Sequence, residues 1–226
     1  MRPLLFLALT MLAAPLPAAA QSGGTAHLYA YRLSDKPAFE AGYRKHLEWH
    51  ARIGDKLVWY AWYVTAGDRA GAFVDGTFGT TPERLANRPR VEEDGADFRA
   101  NAAAYAAAIG NEGWELWREA SQAQPLEQRK PQALVQVHAI AVTDAKRFEA
   151  ALFARPITGA SWYRGIGERP TPYLLIAPVA TPDTKPDLAA LLGADHPALA
   201  FARAVRSEAW TYAPRLALLP GEPLAP

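Results

Sequence analysis

His46-Leu47-Glu48-Trp49-His50 sets two imidazoles four residues apart. That spacing stacks two side chains one turn apart on the same face of an α-helix. Counting 100° per residue from Phe39, the apolar centre of that helix falls at Tyr43, His46, His50 and Ile53, so the pair faces whatever the helix packs against. Glu48 lies on the opposite side, and it does not directly follow the first histidine as the zincin pattern requires. Two imidazoles leave zinc two ligands short and no third ligand is evident nearby in sequence, so no metal is assigned. A metal site is the weakest of three readings. Buried histidines are more often satisfied by tyrosine hydroxyls or backbone groups, and the alternative is a catalytic or ligand-facing pair.

A second cluster lies on strands. His27, Tyr29, Tyr31 and Leu33 alternate onto one face, with Gln136, His138, Ile140 and Val142 in the corresponding later segment. The residues opposite, Leu28 and Ala30, suit close helix packing, so the bulky polar-tipped set is expected to face an interior where Tyr and His can hold a ligand. Trp59-Tyr60-Ala61-Trp62-Tyr63 puts rings on both faces of another strand, as core or as the wall of an apolar pocket. The candidate ligand-binding residues are therefore Tyr29, Tyr31, Tyr43, His46, His50, Trp59, Trp62 and His138, with His46, His50 and His138 as the catalytic candidates. Asp195-His196-Pro197 reads as a helix start capped by Asp195, with His196 an exposed neighbour.

The elements that must position these groups follow from composition and repetition. The chain has 226 residues and no cysteine, which excludes disulfides, cysteine-ligated zinc, iron–sulfur clusters and thiol nucleophiles. Its 24 Lys+Arg balance 23 Asp+Glu without long basic runs, so the electrostatic footprint of a nucleic-acid binder is missing. There is no Gly-x-Ser-x-Gly elbow, phosphate-binding loop or Gly-x-Gly-x-x-Gly fingerprint. Arg2, the apolar run from Leu4 to Leu16 and Ala18-Ala19-Ala20 read as a secretory signal peptide over residues 1–20, too short and proline-broken to span a bilayer. The expectation is a periplasmic or secreted protein with no transmembrane segment after signal removal.

An internal duplication organises the remainder. Ser34-Asp35-Lys36-Pro37-Ala38-Phe39-Glu40-Ala41 matches Thr143-Asp144-Ala145-Lys146-Arg147-Phe148-Glu149-Ala150 without a gap. Each copy follows an alternating strand and precedes a Trp-Tyr pair, an acidic-Arg turn, an apolar strand, an Ala-rich helix and Glu-x-Trp. In the first copy, residues 80–95 read as a long loop with a short helical turn, and Phe98, Ala102, Tyr105 and Ile109 as one face of the second helix. The boundaries are a first repeat over 25–121, a polar linker over 122–132, a second repeat over 133–220 and a tail over 221–226.

The predicted fold class is α+β: two tandem ferredoxin-like βαββαβ repeats forming a pseudo-dimeric α/β barrel. In element order and internal repeat, residues 25–220 resemble the dimeric α/β-barrel superfamily in its tandem-repeat form, as an exported, NIPSNAP-like member. The resemblance implies a pocket between a sheet and its helices or inside the barrel. It also places cofactor-free oxygenases and haem-handling enzymes among the functions the fold supports, without choosing between them. By the gapless match His46 corresponds to Arg155 and His50 to Gly159, so the histidine pair belongs to one repeat only and is no shared scaffold feature. The expected function is binding of a small apolar or aromatic molecule. Oxygenase-like or haem-handling chemistry on the histidines is one alternative, with cofactor open; an envelope interaction module, or a further oligomer, is another.

Overall fold

A computed structural model describes residues 24–181 and 185–226; the signal-peptide reading of residues 1–20 lies outside them. The first half runs β1 (Thr25–Leu33), α1 (Lys36–Arg52), β2 (Val58–Gly67), β3 (Phe73–Thr80), α2 (Pro82–Ala86), α3 (Val91–Asn101) and β4 (Ala106–Leu116). The second runs β5 (Leu134–Val142), α4 (Ala145–Ala154), β6 (Ser161–Gly165), β7 (Tyr173–Pro178), α5 (Leu188–Leu192) and β8 (Ala202–Tyr212). The strands close into one antiparallel barrel in the order β1-β3-β2-β8-β5-β7-β6-β4. Its seams are β2 with β8 and β4 with β6, so every strand has two neighbours and no edge is left bare.

Helix starts obey local chemistry. Asp35 and Asp144 each accept the backbone N–H three residues on, from Ala38 and Arg147, at 3.0 Å, satisfying a donor the helix leaves free. α4 ends at Ala154, ahead of Pro156, whose ring cannot continue a helix. Gly42 lets α1 touch α3: a Cβ there would lie 1.9 Å from the Asn101 carbonyl oxygen.

Two expectations about the elements are corrected. The alanine-rich run does not extend the second helix. α3 starts at Val91, ends at Asn101 and gives way after a single 3₁₀ turn to β4, which carries Ile109. β4 is hydrogen-bonded to both β1 and β6, and this long-range pairing overrides alanine's local helix preference. The faces of β1 are also reversed. Ala26, Leu28 and Ala30 point into the barrel with Tyr60, Trp62, Trp114, Tyr163 and Trp210, while Tyr29 and Tyr31 pack with Phe39, Tyr43 and Phe73 under α1. The barrel lumen is filled by those indoles and phenols, and the two alanines of β1 leave room for them. Residues 122–132 are packed as well: Leu126 is buried in the barrel core, and Tyr60 donates to the carbonyls of Leu126 and Arg129.

Candidate metal centre between two helices

α1 delivers His46 and His50 from its inner face, both buried. α3, crossing it at Gly42, delivers Asp94 from its first turn and Asp97 one turn later. The turn after α1 delivers Asp55. His46 Nε2 and His50 Nε2 stand 3.2 Å apart, and each is 3.2 Å from the same oxygen, Asp94 Oδ1. The outer ring nitrogens are held by two further carboxylates, His46 Nδ1 by Asp97 at 2.9 Å and His50 Nδ1 by Asp55 at 2.7 Å. Asp55 also accepts from the Leu57 backbone N–H at 3.0 Å and the Trp59 indole at 3.1 Å. Arg88 donates to the second oxygen of Asp94 and, at 2.6 Å, to the Leu85 carbonyl.

The protonation logic of this arrangement is constrained. An ionised carboxylate can only accept, so each Nδ1 carries a proton toward its aspartate. In the neutral ring Nε2 is then a bare lone pair. Burial, and after it the neighbouring His50, hold His46 below its ordinary pKa, which favours the neutral ring. Burial pushes Asp55 upward, but hydrogen bonds from His50, Leu57 and Trp59 outweigh it and leave the carboxyl below the usual range. With both rings neutral, three acceptors converge at mutual distances of 3.2 Å. A single proton between two of them leaves the third uncompensated; a cation among them satisfies all three. A metal about 2.1 Å from each of three such atoms, with angles near 100°, needs them about 3.2 Å apart. His46, His50 and Asp94 are the residues able to hold it, and their aspartate-backed imidazoles match the way metal-ligating histidines are oriented.

The centre opens on a cavity of about 610 Å³ lined by His50, Asp55 and Asp94 together with Trp49, Ile53, Leu57, Lys56, Arg84 and Arg88. Behind it, the Tyr43 hydroxyl donates to Asp75 at 2.6 Å. Burial raises the Asp75 carboxyl to about 6 in spite of that bond, and its Oδ1 is buried with no partner.

Of the sequence candidates, the fold brings together Tyr43, His46, His50 and Trp59, with Tyr29 and Tyr31 in the aromatic layer behind them. Trp62 lies apart, inside the barrel beside Trp210. His138 lies in the other half, its ring nitrogens bonded to Ser207 at 3.0 Å and Gln136 at 3.1 Å. His196 is buried, contrary to expectation. Its own Nδ1 caps the 3₁₀ turn from Pro197 by accepting from Ala198, its Nε2 donates to the Arg155 carbonyl, and Asp195 pairs with the Arg155 guanidinium instead. Sequence reasoning missed Asp94, Asp97, Asp55 and Arg88. The usable signal was Asp94 and Asp97 at helical spacing next to apolar Phe98, in and just after a stretch read as loop.

No family profile matches the sequence, and no curated protein matches it. Solved structures do. A chlorite dismutase-like protein superimposes with a TM-score of 0.58 at 10% identity, over 85% of this chain and 95% of that one. A mutant chlorite dismutase from Candidatus Nitrospira defluvii gives 0.58 at 9%, over 86% and 93%. A haem-binding protein from Thermus thermophilus gives 0.56 at 13%, over 88% and 94%. At such identities the likeness is one of fold, and the fold this chain shares with them is the ferredoxin-like dimeric α+β barrel.

Proposed function

We propose that this protein is a metal-dependent enzyme of the oxygenase kind, holding one divalent transition-metal ion on His46, His50 and Asp94 and acting on a small molecule in the adjoining cavity. The observation that carries the reading is the convergence of two histidine Nε2 atoms and one aspartate oxygen, all 3.2 Å apart, with both outer nitrogens tied to carboxylates. Two imidazoles and one carboxylate leave coordination positions open, the donor set of non-haem Fe(II) oxygenases, in which the metal supplies a site for oxygen and substrate together. In the chain itself, Asp97 and Asp55 fix ring orientation and hold the proton of each neutral ring on its outer nitrogen, so that the inner one carries the lone pair. Arg88 neutralises the second oxygen of Asp94, and Trp49, Ile53 and Leu57 give the substrate an apolar wall. The two halves are read as copies of one unit, of which, among the described residues, the first alone carries such a cluster. Residues 1–20 support export, so the centre would work outside the cytoplasm.

Haem, suggested by the fold neighbours, fits these histidines poorly. His138 and His196 have both ring nitrogens bonded, and the Nε2 atoms of His46 and His50 stand 3.2 Å from each other and from Asp94, too close for a porphyrin ring on either.

The test is metal content and Co(II) absorption of the purified protein, with circular dichroism as the folding control. One equivalent per chain is expected in the wild type, lost in Asp94→Asn and in His50→Ala. A folded wild-type protein that binds neither Fe(II), Co(II) nor Zn(II) at micromolar concentration would overturn the proposal, as would an Asp94→Asn variant that binds them unchanged.

A further inference from the structure

The charged groups around the cavity beside the centre are unequally engaged. Lys56, in the turn after α1, and Arg84, on α2, both line it, both are exposed, and neither side chain has an ion pair or hydrogen bond among the described residues. The other charged groups of the wall are already committed. Arg88 is bound to Asp94 and the Leu85 carbonyl, and Asp55 accepts from His50, Leu57 and Trp59. Glu83 is turned back to the Thr81 cap of its own helix, and its backbone bond together with that contact holds its carboxyl below the usual range.

A divalent ion at the floor would carry more charge than Asp94 cancels, and the two free cations at the rim add to it. Between floor and rim the wall is the apolar surface of Trp49, Ile53 and Leu57. A neutral molecule would leave the charge of the ion at the floor unmatched and draw nothing from the two rim cations, and a purely polar anion would waste the apolar wall. The lining itself sets Lys56, Arg84 and Arg88 against Asp55, Glu83 and Asp94, so the positive excess is the one a bound divalent ion brings.

From these features we infer that the substrate is a small organic anion: a carboxylate with a neighbouring hydroxyl or oxo oxygen, on an aliphatic or aromatic body. Its oxygen pair would suit a metal held by His46, His50 and Asp94, its body would lie along Trp49 and Leu57, and Lys56 and Arg84 would supply the field that draws the anion in. The inference rests on the metal reading above and adds the class of ligand to it.

Co(II)-loaded full-length protein separates the two claims. Mandelate, a 2-hydroxy carboxylate with a phenyl body, is titrated against mandelamide, its uncharged counterpart, with the Co(II) bands and calorimetry as readouts. Mandelate is expected to perturb the bands and to bind at least ~10-fold more tightly than mandelamide. The double variant Lys56→Ala/Arg84→Ala is expected to lose roughly 10-fold in mandelate affinity at unchanged Co(II) content, with the loss shrinking as salt screens the rim. Equal binding of acid and amide, or a double variant with wild-type mandelate affinity, overturns the anion assignment while leaving the metal centre standing. Failure of the wild type to take up Co(II) overturns both.

Discussion

At the scale of single residues, the centre depends on groups that never touch the metal position. Asp55 and Asp97 act through the histidines, so Asp55→Asn and Asp97→Asn should keep one metal per chain but weaken affinity by about 10- to 100-fold. Competition with a chromophoric chelator measures this, and an unchanged constant in both variants would show that ring orientation is set by packing alone. Away from the centre, His138 makes a separate prediction. Burial lowers its pKa to about 4 from an ordinary 6.5, so the folded state binds fewer protons than the unfolded chain. Its contribution is complete above pH 6.5 and is lost as pH falls toward 4, by up to about 3 kcal/mol. His138→Gln, which keeps a hydrogen-bonding side chain between Ser207 and Gln136, should flatten that part of the stability profile in urea titrations at pH 4 to 7. Asp75 acts with the opposite sign: its raised pKa makes its contribution fall as pH rises through about 6.

At the scale of elements, the decisive contact is α1 on α3. Both helices carry residues of the candidate centre, and Gly42 sets their separation, because any Cβ there would meet the Asn101 carbonyl oxygen at 1.9 Å. Gly42→Ala should therefore cost about 1–3 kcal/mol by overpacking and also loosen the metal, since the shift moves Asp94 away from the histidine pair. Chemical denaturation and chelator competition report the two effects. A variant that lost stability yet kept metal affinity would show that the helices can part elsewhere than at the centre. α3 is also entered through Arg90, whose φ of 61° is left-handed, a conformation that glycine adopts without a Cβ penalty. Arg90→Gly should leave stability unchanged or raise it by up to about 1 kcal/mol. A clear loss in Tm would mean that the Arg90 side chain, paired at 3.6 Å with Glu93, anchors the helix start.

For the whole molecule, the barrel is a closed ring whose lumen is filled by Trp62, Trp210, Trp114, Tyr60 and Tyr163. Strands from both halves share that core, so unfolding should be one cooperative transition that metal shifts as a unit. Ligand bound only to the native state at about 100 times its Kd adds about 2.7 kcal/mol, visible in calorimetry as a higher Tm for the Co(II)-loaded protein. Two transitions, with only one of them metal-sensitive, would show that the halves fold independently. No helix among the described residues is long and apolar enough to cross a membrane.

Much of this architecture was readable in one dimension because it is written in local chemistry. Asp35 and Asp144 cap their helices from equivalent places in two matching stretches of sequence, and Pro156 follows the end of α4 as a helix stop. The helical spacing of His46 and His50 put both on one buried face. What could not be read locally was decided by closure. The β1 tyrosines face the helices because a sealed eight-stranded lumen already holds the indoles, and alternation along a strand says that two faces differ but not which one is inside. The run from Ala106 became strand because β1 and β6 bond to it, energy that no propensity of alanine contains. The third member of the cluster, too, lies on another helix: Asp94 comes 44 positions after His50, and only the crossing of α1 and α3 at Gly42 brings its oxygen to 3.2 Å from both imidazoles. The sequence by itself determined which side chains could do chemistry and which helix face carried them. The tertiary structure determined which of them meet, because a coordination site is a set of distances between segments and those distances are fixed only when the segments pack.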